Sequence, residues 1–219
     1  MSAELLAGKG SSKVERVITS GTFSLDGGTW DVDNNVYVIG DDSSCVVVDA
    51  AHEAGPILDA IGDRELTAIL CTHSHDDHIS AVTDVLAAHP NAQVRLHPDD
   101  RVLWDMTMSQ PPSGELEDGE TITVGELTLT VIHTPGHSPG AVCFSIPEAG
   151  VLLSGDTLFQ GGPGATGRSY SSYDTITDSI RTKLFALPAD TVVFTGHGDP
   201  TTIGDEAAAS DGWERPEGA

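Results

Sequence analysis

Short apolar runs separated by turn residues dominate the first part of the chain. Residues 13–18 and 35–39 alternate or run apolar between turn signals, and residues 44–50 contain three consecutive valines. Runs of this kind, rich in β-branched residues, are typical of strands. A further apolar run at residues 66–71 predicts a buried strand. We therefore predict a strand-rich N-terminal half whose first strands are antiparallel.

Helical spacing appears between these strands and again near the C-terminus. Val82, Val85 and Leu86 follow Ser80, which is a good N-cap residue, so we predict a helix that begins near Ser80. Pro98 is favoured in a first helical turn and predicts a short helix that continues to residue 104. The other predicted helices cover residues 55–61 and about 174–187.

A second group of short strands begins after residue 120. The predicted strands of this half cover residues 121–124, 127–132, 142–146, 151–153 and 191–195. Each half therefore consists of strands followed by a helix, which indicates an internally pseudo-symmetric sandwich. Residues 106–114 have no periodicity, so this segment is either a flap over a site or an ordinary connector.

Length and pattern together predict one domain. A chain of 219 residues, 38% of them hydrophobic, can bury one substantial core. We assign residues 13–204 to a single domain, residues 1–12 to a flexible N-terminus and residues 205–219 to an acidic flexible tail. The apolar patch at residues 5–7 is too short for a signal-peptide core or a membrane span, so we expect a cytoplasmic protein.

The charge of the chain excludes some partners. Ten basic and 34 acidic residues give a formal net charge of -24 at pH 7. Such a charge repels phosphate backbones and anionic membrane surfaces, so we expect no nucleic-acid or membrane partner but a small-molecule substrate. Cys45, Cys71 and Cys143 lie in apolar runs without CxxC spacing, which predicts buried reduced thiols.

Candidate chemistry is concentrated directly after the apolar run that ends at Cys71. The sequence there is Thr-His-Ser-His-Asp-Asp-His, with His73, His75, Asp77 and His78 as potential ligands. Imidazole suits zinc and iron, and carboxylates suit harder ions. Because dense polar groups at the end of a buried strand are costly without a function, we interpret these residues as two sets of metal ligands side by side.

Four motifs, taken in order, make the chain resemble a known family. His73 to His78 fits the HxHxDH pattern, and it is followed by Thr-Pro-Gly-His at residues 134–137, Ser-Gly-Asp-Thr-Leu-Phe at 154–159 and Gly-His-Gly at 196–198. Over roughly residues 14–203 the chain resembles the metallo-β-lactamase superfamily, and within it the glyoxalase II-like thioester hydrolases. The resemblance implies a four-layer αββα sandwich with the metal site at one edge.

The resemblance also implies a binuclear centre. His73, His75 and His137 then hold one metal, Asp77, His78 and His197 hold the other, and Asp156 bridges the two. Two divalent ions, with zinc first and iron or manganese as alternatives, are the implied cofactors. They share a hydroxide that attacks the thioester carbonyl, so Asp77 and Asp156 are catalytic through the metals they hold.

The substrate side is less clear from the sequence. Arg168 lies in a glycine-rich loop after Asp156, with Tyr170 and Tyr173 nearby, and these three are candidates to line the pocket. The alternative for Arg168 is a surface ion pair. Glyoxalase II has a further C-terminal helical region whose basic residues hold glutathione, whereas this chain is short of cations after His197. Another low-molecular-weight thiol is therefore at least as good a candidate as glutathione.

Other functions and roles stay open at this point. A mononuclear iron dioxygenase acting on persulfides would use ligands such as His73, His137 and Asp156. A β-lactamase is disfavoured because that branch has a cysteine in the second site, and a non-catalytic metal module is disfavoured because every ligand is present. Asp49, at the end of its strand, either orients a metal ligand or caps the next helix.

Overall fold

Two β-sheets make up the centre of the molecule. The computed structural model describes residues 3–215. The first sheet has seven strands in sequential order, antiparallel as far as β4 and parallel from β4 to β7. These strands are β1 (Glu4–Lys9), β2 (Ser12–Leu25), β3 (Gly28–Gly40), β4 (Ser44–Val48), β5 (Glu65–Leu70), β6 (Gln93–Leu96) and β7 (Gly114–Glu115).

The second sheet has six strands in the order β15-β14-β11-β10-β9-β8. The pair β11 and β14 is parallel, and the other neighbours are antiparallel. Its strands are β8 (Thr121–Val124), β9 (Leu127–His133), β10 (Val142–Ile146), β11 (Val151–Gly155), β14 (Val192–Thr195) and β15 (Thr201–Thr202), and a separate ribbon is formed by β12 (Leu158–Phe159) and β13 (Gly162–Pro163).

Helices cover the outer faces of both sheets. They are α1 (Ala54–Ile61), α2 (Asp76–Ile79), α3 (Val82–Ala88), α4 (Arg101–Thr107), α5 (Tyr173–Ser179), which continues as a π-helical segment (Ile180–Leu184), and α6 (Ile203–Ala209). Short 3-10 turns occupy Pro98–Asp100, Pro147–Ala149 and Ser210–Gly212. No helix in residues 3–215 is long and apolar enough to cross a membrane.

Three buried clusters show the layer order. Between the sheets, side chains such as Ile39 and Phe144 form one cluster. Ile57 and Val85, from α1 and α3, pack on the outer face of the first sheet. Ile176, Leu184 and Ile203 pack on the outer face of the second sheet. The order helix, sheet, sheet, helix is the four-layer αββα sandwich implied by the motifs, so that prediction is confirmed.

The predicted strands and helices are largely present, with two differences: the length of one hairpin and the boundary of one helix. β2 and β3 form a hairpin that extends well beyond the predicted bounds at residues 18 and 35. This outer half was not predicted because it leaves the core and loses the apolar pattern. The helix predicted to begin near Ser80 is α3, which starts at Val82 with Ala81 as its N-cap residue, while Ser80 is the C-cap residue of α2. The Ser80 hydroxyl instead accepts a hydrogen bond from the His52 backbone N–H at 2.8 Å.

Both segments predicted to be flexible contain regular structure. In residues 1–12, β1 pairs with β2 and continues the first sheet. In residues 205–219, the chain first completes α6 and then forms a 3-10 turn. Residues 1–2 and 216–219, which belong to the same two predicted segments, lie outside the described residues.

Candidate metal centre

Four loops bring the predicted ligands to one edge of the sandwich. Each loop follows the carboxyl end of a strand: β5 precedes residues 71–78, β9 precedes residues 134–137, β11 precedes Asp156 and β14 precedes His197. The strand ends of both sheets meet at this edge. All seven residues predicted as ligands therefore come together, although they are spread over 125 positions of the chain, from 73 to 197.

His73, His75 and His137 form the first ligand group. The Nε2 atom of His73 lies 3.0 Å from Nδ1 of His75, and Nε2 of His137 lies 3.0 Å from the same Nδ1 atom. The three rings are nearly perpendicular to one another, and all three residues are buried. Three imidazole nitrogens that face one point are the arrangement of a catalytic metal site that keeps further positions open.

Asp77, His78 and His197 form the second group. The Nε2 atoms of His78 and His197 are 3.3 Å apart, and Oδ2 of Asp77 is 3.5 Å from the first and 3.3 Å from the second. Asp77 and His78 belong to α2, and both side chains are buried. A carboxylate and two imidazoles are ligands for zinc, iron or manganese.

Asp156 lies between the two groups. Its Oδ1 atom is 3.4 Å from Nε2 of His78, and its Oδ2 atom is 3.4 Å from Nε2 of His197 and 3.6 Å from Nε2 of His137. The residue follows Gly155, whose left-handed backbone (φ +49°) turns the chain out of β11. One carboxylate therefore reaches ligand atoms of both groups, which is the position required of a bridging ligand.

The hydrogen bonds of the ring nitrogens show that this donor set fits divalent cations. Nδ1–H of His137 donates to the carbonyl of Ala165, and Nδ1–H of His197 donates to the carbonyl of Asp33, both at 2.8 Å. These bonds leave the Nε2 lone pairs pointing into the site. Oδ1 of Asp156 is buried there and has no hydrogen-bond partner in the described residues. A divalent cation can satisfy several such converging lone pairs at once.

Electrostatics separates the two groups. Burial lowers the pKa of His73 well below its ordinary value and that of His75 to about 3, so both are neutral ligands at pH 7. Burial also disfavours charge on His197, but the carboxylates of Asp156 and Asp77 outweigh it and raise its pKa to about 10. A cation that binds the second group therefore displaces a proton, whereas His73 and His75 have none to lose.

Asp49 orients His78 from behind. Its Oδ2 atom accepts a hydrogen bond from Nδ1–H of His78 at 2.8 Å and from the hydroxyl of Thr72 at 2.7 Å, and its Oδ1 atom accepts from the Thr72 backbone N–H at 2.7 Å. The N-cap of α1 is Glu53. Of the two roles left open for Asp49, orientation of a ligand is the one that the structure shows.

The first prediction concerns this carboxylate. Asp49→Asn keeps the shape of the side chain and tolerates the left-handed backbone (φ +58°). It replaces one of the two acceptor oxygens by an N–H₂ group, although three donors converge on this carboxylate. His78 then loses the partner that fixes its tautomer, and we expect metal affinity to fall about 10- to 100-fold. Competition with a chromophoric chelator measures it. Asp41→Asn, in a surface turn of similar bonding, should leave the affinity unchanged.

A cavity of about 240 Å³ opens above the two groups. Its lining residues are Phe23, Trp30, Val32, His75, Asp77, His137, Asp156, Ala165, Arg168 and His197. The Arg168 guanidinium carbon lies 4.1 Å from the ring centroid of Trp30 and 4.8 Å from that of Phe23. These aromatic residues come from the β2–β3 hairpin, and they could not be predicted as pocket residues because the apolar pattern fades there.

Two of the predicted substrate residues are not in this cavity. Tyr170 is 46% exposed and has a left-handed backbone, and Tyr173 begins α5 and packs its ring beneath Arg215. Neither lines the cavity beside Arg168. Residues 106–114 do not line it either, and the β2–β3 hairpin is the element that covers the site. Of the two roles predicted for Arg168, the pocket position agrees with the structure, because its guanidinium group packs on Trp30 and Phe23 in the cavity lining.

A third group of potential ligands, His97, Asp99 and His133, lies elsewhere. The rings of His97 and His133 are stacked with centroids 3.9 Å apart, so their in-plane lone pairs run side by side and do not converge. Nδ1 of His97 accepts the Asp99 backbone N–H, and Lys183 donates to the carbonyl of His133. His97 and His133 are therefore held by structural contacts, in a group separate from the seven predicted ligands.

Comparison with known proteins shows to which family the chain is similar. The family model described as metallo-beta-lactamase superfamily matches residues 29–197. The probable metallo-hydrolase YqgX of Bacillus subtilis is 34% identical over 184 residues, 77% of this chain and 87% of that protein. Hydroxyacylglutathione hydrolase GloC of Haemophilus influenzae is 32% identical over 182 residues, 76% of this chain and 85% of that protein.

Solved structures show the same fold. The BLEG-1 B3 metallo-beta-lactamase superimposes with a TM-score of 0.73 at 32% identity, covering 87% of this chain and 97% of that one. TTHA1623 in a di-iron-bound form gives 0.72 at 31% identity, with 87% and 98% covered. ETHE1 from Myxococcus xanthus gives 0.69 at 25% identity, with 87% and 81% covered.

Proposed function

Because the chain belongs to the metallo-beta-lactamase superfamily, we propose that it is a binuclear hydrolase that cleaves a thioester of a low-molecular-weight thiol. The observation that carries the proposal is the meeting of two three-residue ligand groups at Asp156, whose buried Oδ1 atom has no hydrogen-bond partner in the described residues. The similarity to hydroxyacylglutathione hydrolases supports the substrate class.

His73, His75 and His137 would hold one ion, Asp77, His78 and His197 the other, and Asp156 both. We propose zinc, with iron or manganese as alternatives; the di-iron form of TTHA1623 is an example of the second. Two ions bound here would supply Lewis acidity and lower the pKa of water to about 7, which provides a nucleophile at neutral pH.

The cavity lining is consistent with water as the nucleophile. None of the ten lining residues is a serine, threonine, cysteine, lysine or tyrosine, and the aspartates and histidines of the lining all belong to the proposed ligand set, which leaves no other side-chain nucleophile there. Cys45, Cys71 and Cys143 are all buried in the core, as predicted from the sequence. A thioester suits such a site because a thiolate, with a pKa near 8.5, leaves without a strong general acid.

The remaining wall of the cavity binds and orients the substrate. Phe23, Trp30 and Val32 supply an apolar surface that excludes water from one side. Arg168 is the one arginine or lysine of the lining. Its contacts with both aromatic rings hold the guanidinium plane, so its N–H groups can bind a carboxylate of the thiol moiety.

The second prediction tests this role of Arg168. Arg168→Ala removes a charge-assisted hydrogen bond that ground state and transition state share, so we expect KM to rise roughly tenfold while kcat changes little. Steady-state kinetics with the best thioester measures both. Arg101→Ala, an exposed arginine paired with Asp105 outside this cavity, is the matched control. Unchanged KM in Arg168→Ala would remove Arg168 from the binding site.

A second candidate function is a mononuclear iron dioxygenase that oxidises thiol persulfides. The similarity to ETHE1 favours it, and His73, His137 and Asp156 lie close enough to hold a single iron. It makes no use of Asp77, His78 and His197, which form a complete ligand group here. We therefore place it second.

A substrate panel tests the proposal. Acyl thioesters of glutathione, cysteine and coenzyme A, a thiol persulfide and a chromogenic β-lactam are offered to the protein loaded with zinc or iron. We expect a thioester to be hydrolysed with the highest kcat/KM and without oxygen consumption. The β-lactam is included because of the similarity to the BLEG-1 B3 metallo-beta-lactamase. Faster turnover of the β-lactam, or oxygen-dependent turnover of the persulfide, would overturn the proposal.

A further inference from the structure

His52 lies behind the second ligand group in a constrained position. It follows β4 and has a left-handed backbone (φ +55°), which is uncommon for a residue other than glycine. Its backbone N–H donates to the hydroxyl of Ser80, at the end of the helix that carries Asp77 and His78. The His52 ring is therefore held at a fixed place beside the metal-binding helix.

Gly21 of β2 makes room for the His52 ring. A Cβ atom at this position would lie 2.2 Å from Nδ1 of His52. Glycine weakens a strand interior and often marks a site where another group approaches closely. The missing side chain in β2 and the left-handed backbone at His52 both serve one purpose, which is to place the imidazole against β3.

The imidazole reaches Asp77 through one intermediate side chain. Nε2 of His52 is 2.7 Å from Oδ1 of Asn34, and Nδ2 of Asn34 is 3.1 Å from Oδ2 of Asp77. Asn34 and Asp77 are both buried. Because the Asn34 carbonyl oxygen only accepts hydrogen bonds, His52 donates to it, and this bond fixes which end of the amide faces the carboxylate.

Resting on the proposed function, we propose that His52 is a positioning residue for the second metal. Acting through Asn34, it fixes the rotation of the Asp77 carboxylate, whose Oδ2 atom has to face His78 and His197 at once. Without His52 the Asn34 carbonyl oxygen loses its donor, so the amide is no longer held at one rotation and no longer fixes the carboxylate of Asp77 to which it donates. The effect is therefore specific to the second site, since the hydrogen bonds of the His52 ring and the Asn34 amide lead to Asp77 and not to His73, His75 or His137.

The test measures two dissociation constants for Zn²⁺ on each variant by chelator competition. His52→Gly removes the ring and suits the left-handed backbone, so the variant should fold at least as well as the original chain. We expect the first ion to bind as before and the second to bind about 10- to 100-fold more weakly. His52→Gln, whose amide can donate to Asn34 from nearly the same place, should restore most of the second-site affinity.

A double-mutant cycle tests the route through Asn34. Asn34→Ala should weaken the second ion to a similar degree, and adding His52→Gly to it should cause little further loss. Unchanged second-site affinity in His52→Gly, equal loss at both sites, failure of His52→Gln to restore binding, or additive losses in the double variant would each overturn the inference. A single Zn²⁺ per chain in the unmodified protein would instead overturn the proposed binuclear function itself.

Discussion

Asp77→Ala should lose the second metal ion and lower kcat for thioester hydrolysis by about a hundredfold or more, equivalent to about 2.7 kcal/mol of barrier. The reason is that Asp77 supplies the carboxylate of the second ligand group, within 3.5 Å of both imidazole nitrogens. Asp77 is not a member of the first ligand group, so one ion should stay bound and the fold should survive. Metal analysis and turnover on the same sample measure both effects.

Asp76→Ala is the matched control for this change. Asp76 precedes Asp77 in the same helix, but its carboxylate points away from the ligands and accepts the Ser24 backbone N–H at 3.0 Å. Its loss should cost about 1 kcal/mol of stability and leave both ions in place. In the dioxygenase alternative, Asp77 is only a neighbour of the iron. Asp77→Ala with one iron and most of its activity would therefore refute the hydrolase proposal.

Gly196→Ala should abolish binding at the bridging position and lower activity by a comparable or larger factor. A Cβ atom there would lie 2.2 Å from Oδ1 of Asp156 and 2.8 Å from Cε1 of His78. The backbone cannot move aside, because the Gly196 N–H donates to the carbonyl of Gly155 and its own carbonyl accepts from Asn35. The bridging carboxylate has to yield, so we expect neither ion to bind with its original affinity.

Gly198→Ala, on the other side of His197, separates this effect from a general cost of losing glycine. A Cβ atom at Gly198 meets nothing within 4 Å, but the backbone is left-handed (φ +69°). This variant should lose about 1–2 kcal/mol of stability and keep both ions. Thermal unfolding with and without Zn²⁺ distinguishes the two variants. Equal metal binding by both would contradict the placement of Asp156 against Gly196.

The ligand set could be predicted because it depends on short motifs at strand ends. The buried run before His73 identifies a strand. The Pro-Gly pair before His137 and the glycines on both sides of His197 identify loops. The resemblance then supplied the grouping, and the structure brings the same seven side chains together. The layered fold followed from the same resemblance, since strands and helices alone are compatible with many α/β arrangements.

The groups around the ligands could not be predicted in the same way. Phe23 and Trp30 lie on the outer half of the hairpin, where the sequence has no clear apolar pattern, and Asn34 is a buried polar residue whose partner Asp77 is 43 positions away. His52 is a single histidine with no spacing partner in the sequence. The role proposed for His52 depends on a hydrogen bond to Asn34, which forms only when β3 and the β4–α1 connection pack together.

Metal content measured together with turnover tests the central claim most directly. The protein is purified without added metal, and elemental analysis is paired with thioester hydrolysis on the same preparation before and after reloading with Zn²⁺, Fe²⁺ or Mn²⁺. We predict two divalent ions per chain at full loading, with hydrolysis that rises as the second ion binds. One iron per chain at full loading, with activity that needs oxygen and a persulfide, would contradict the proposal.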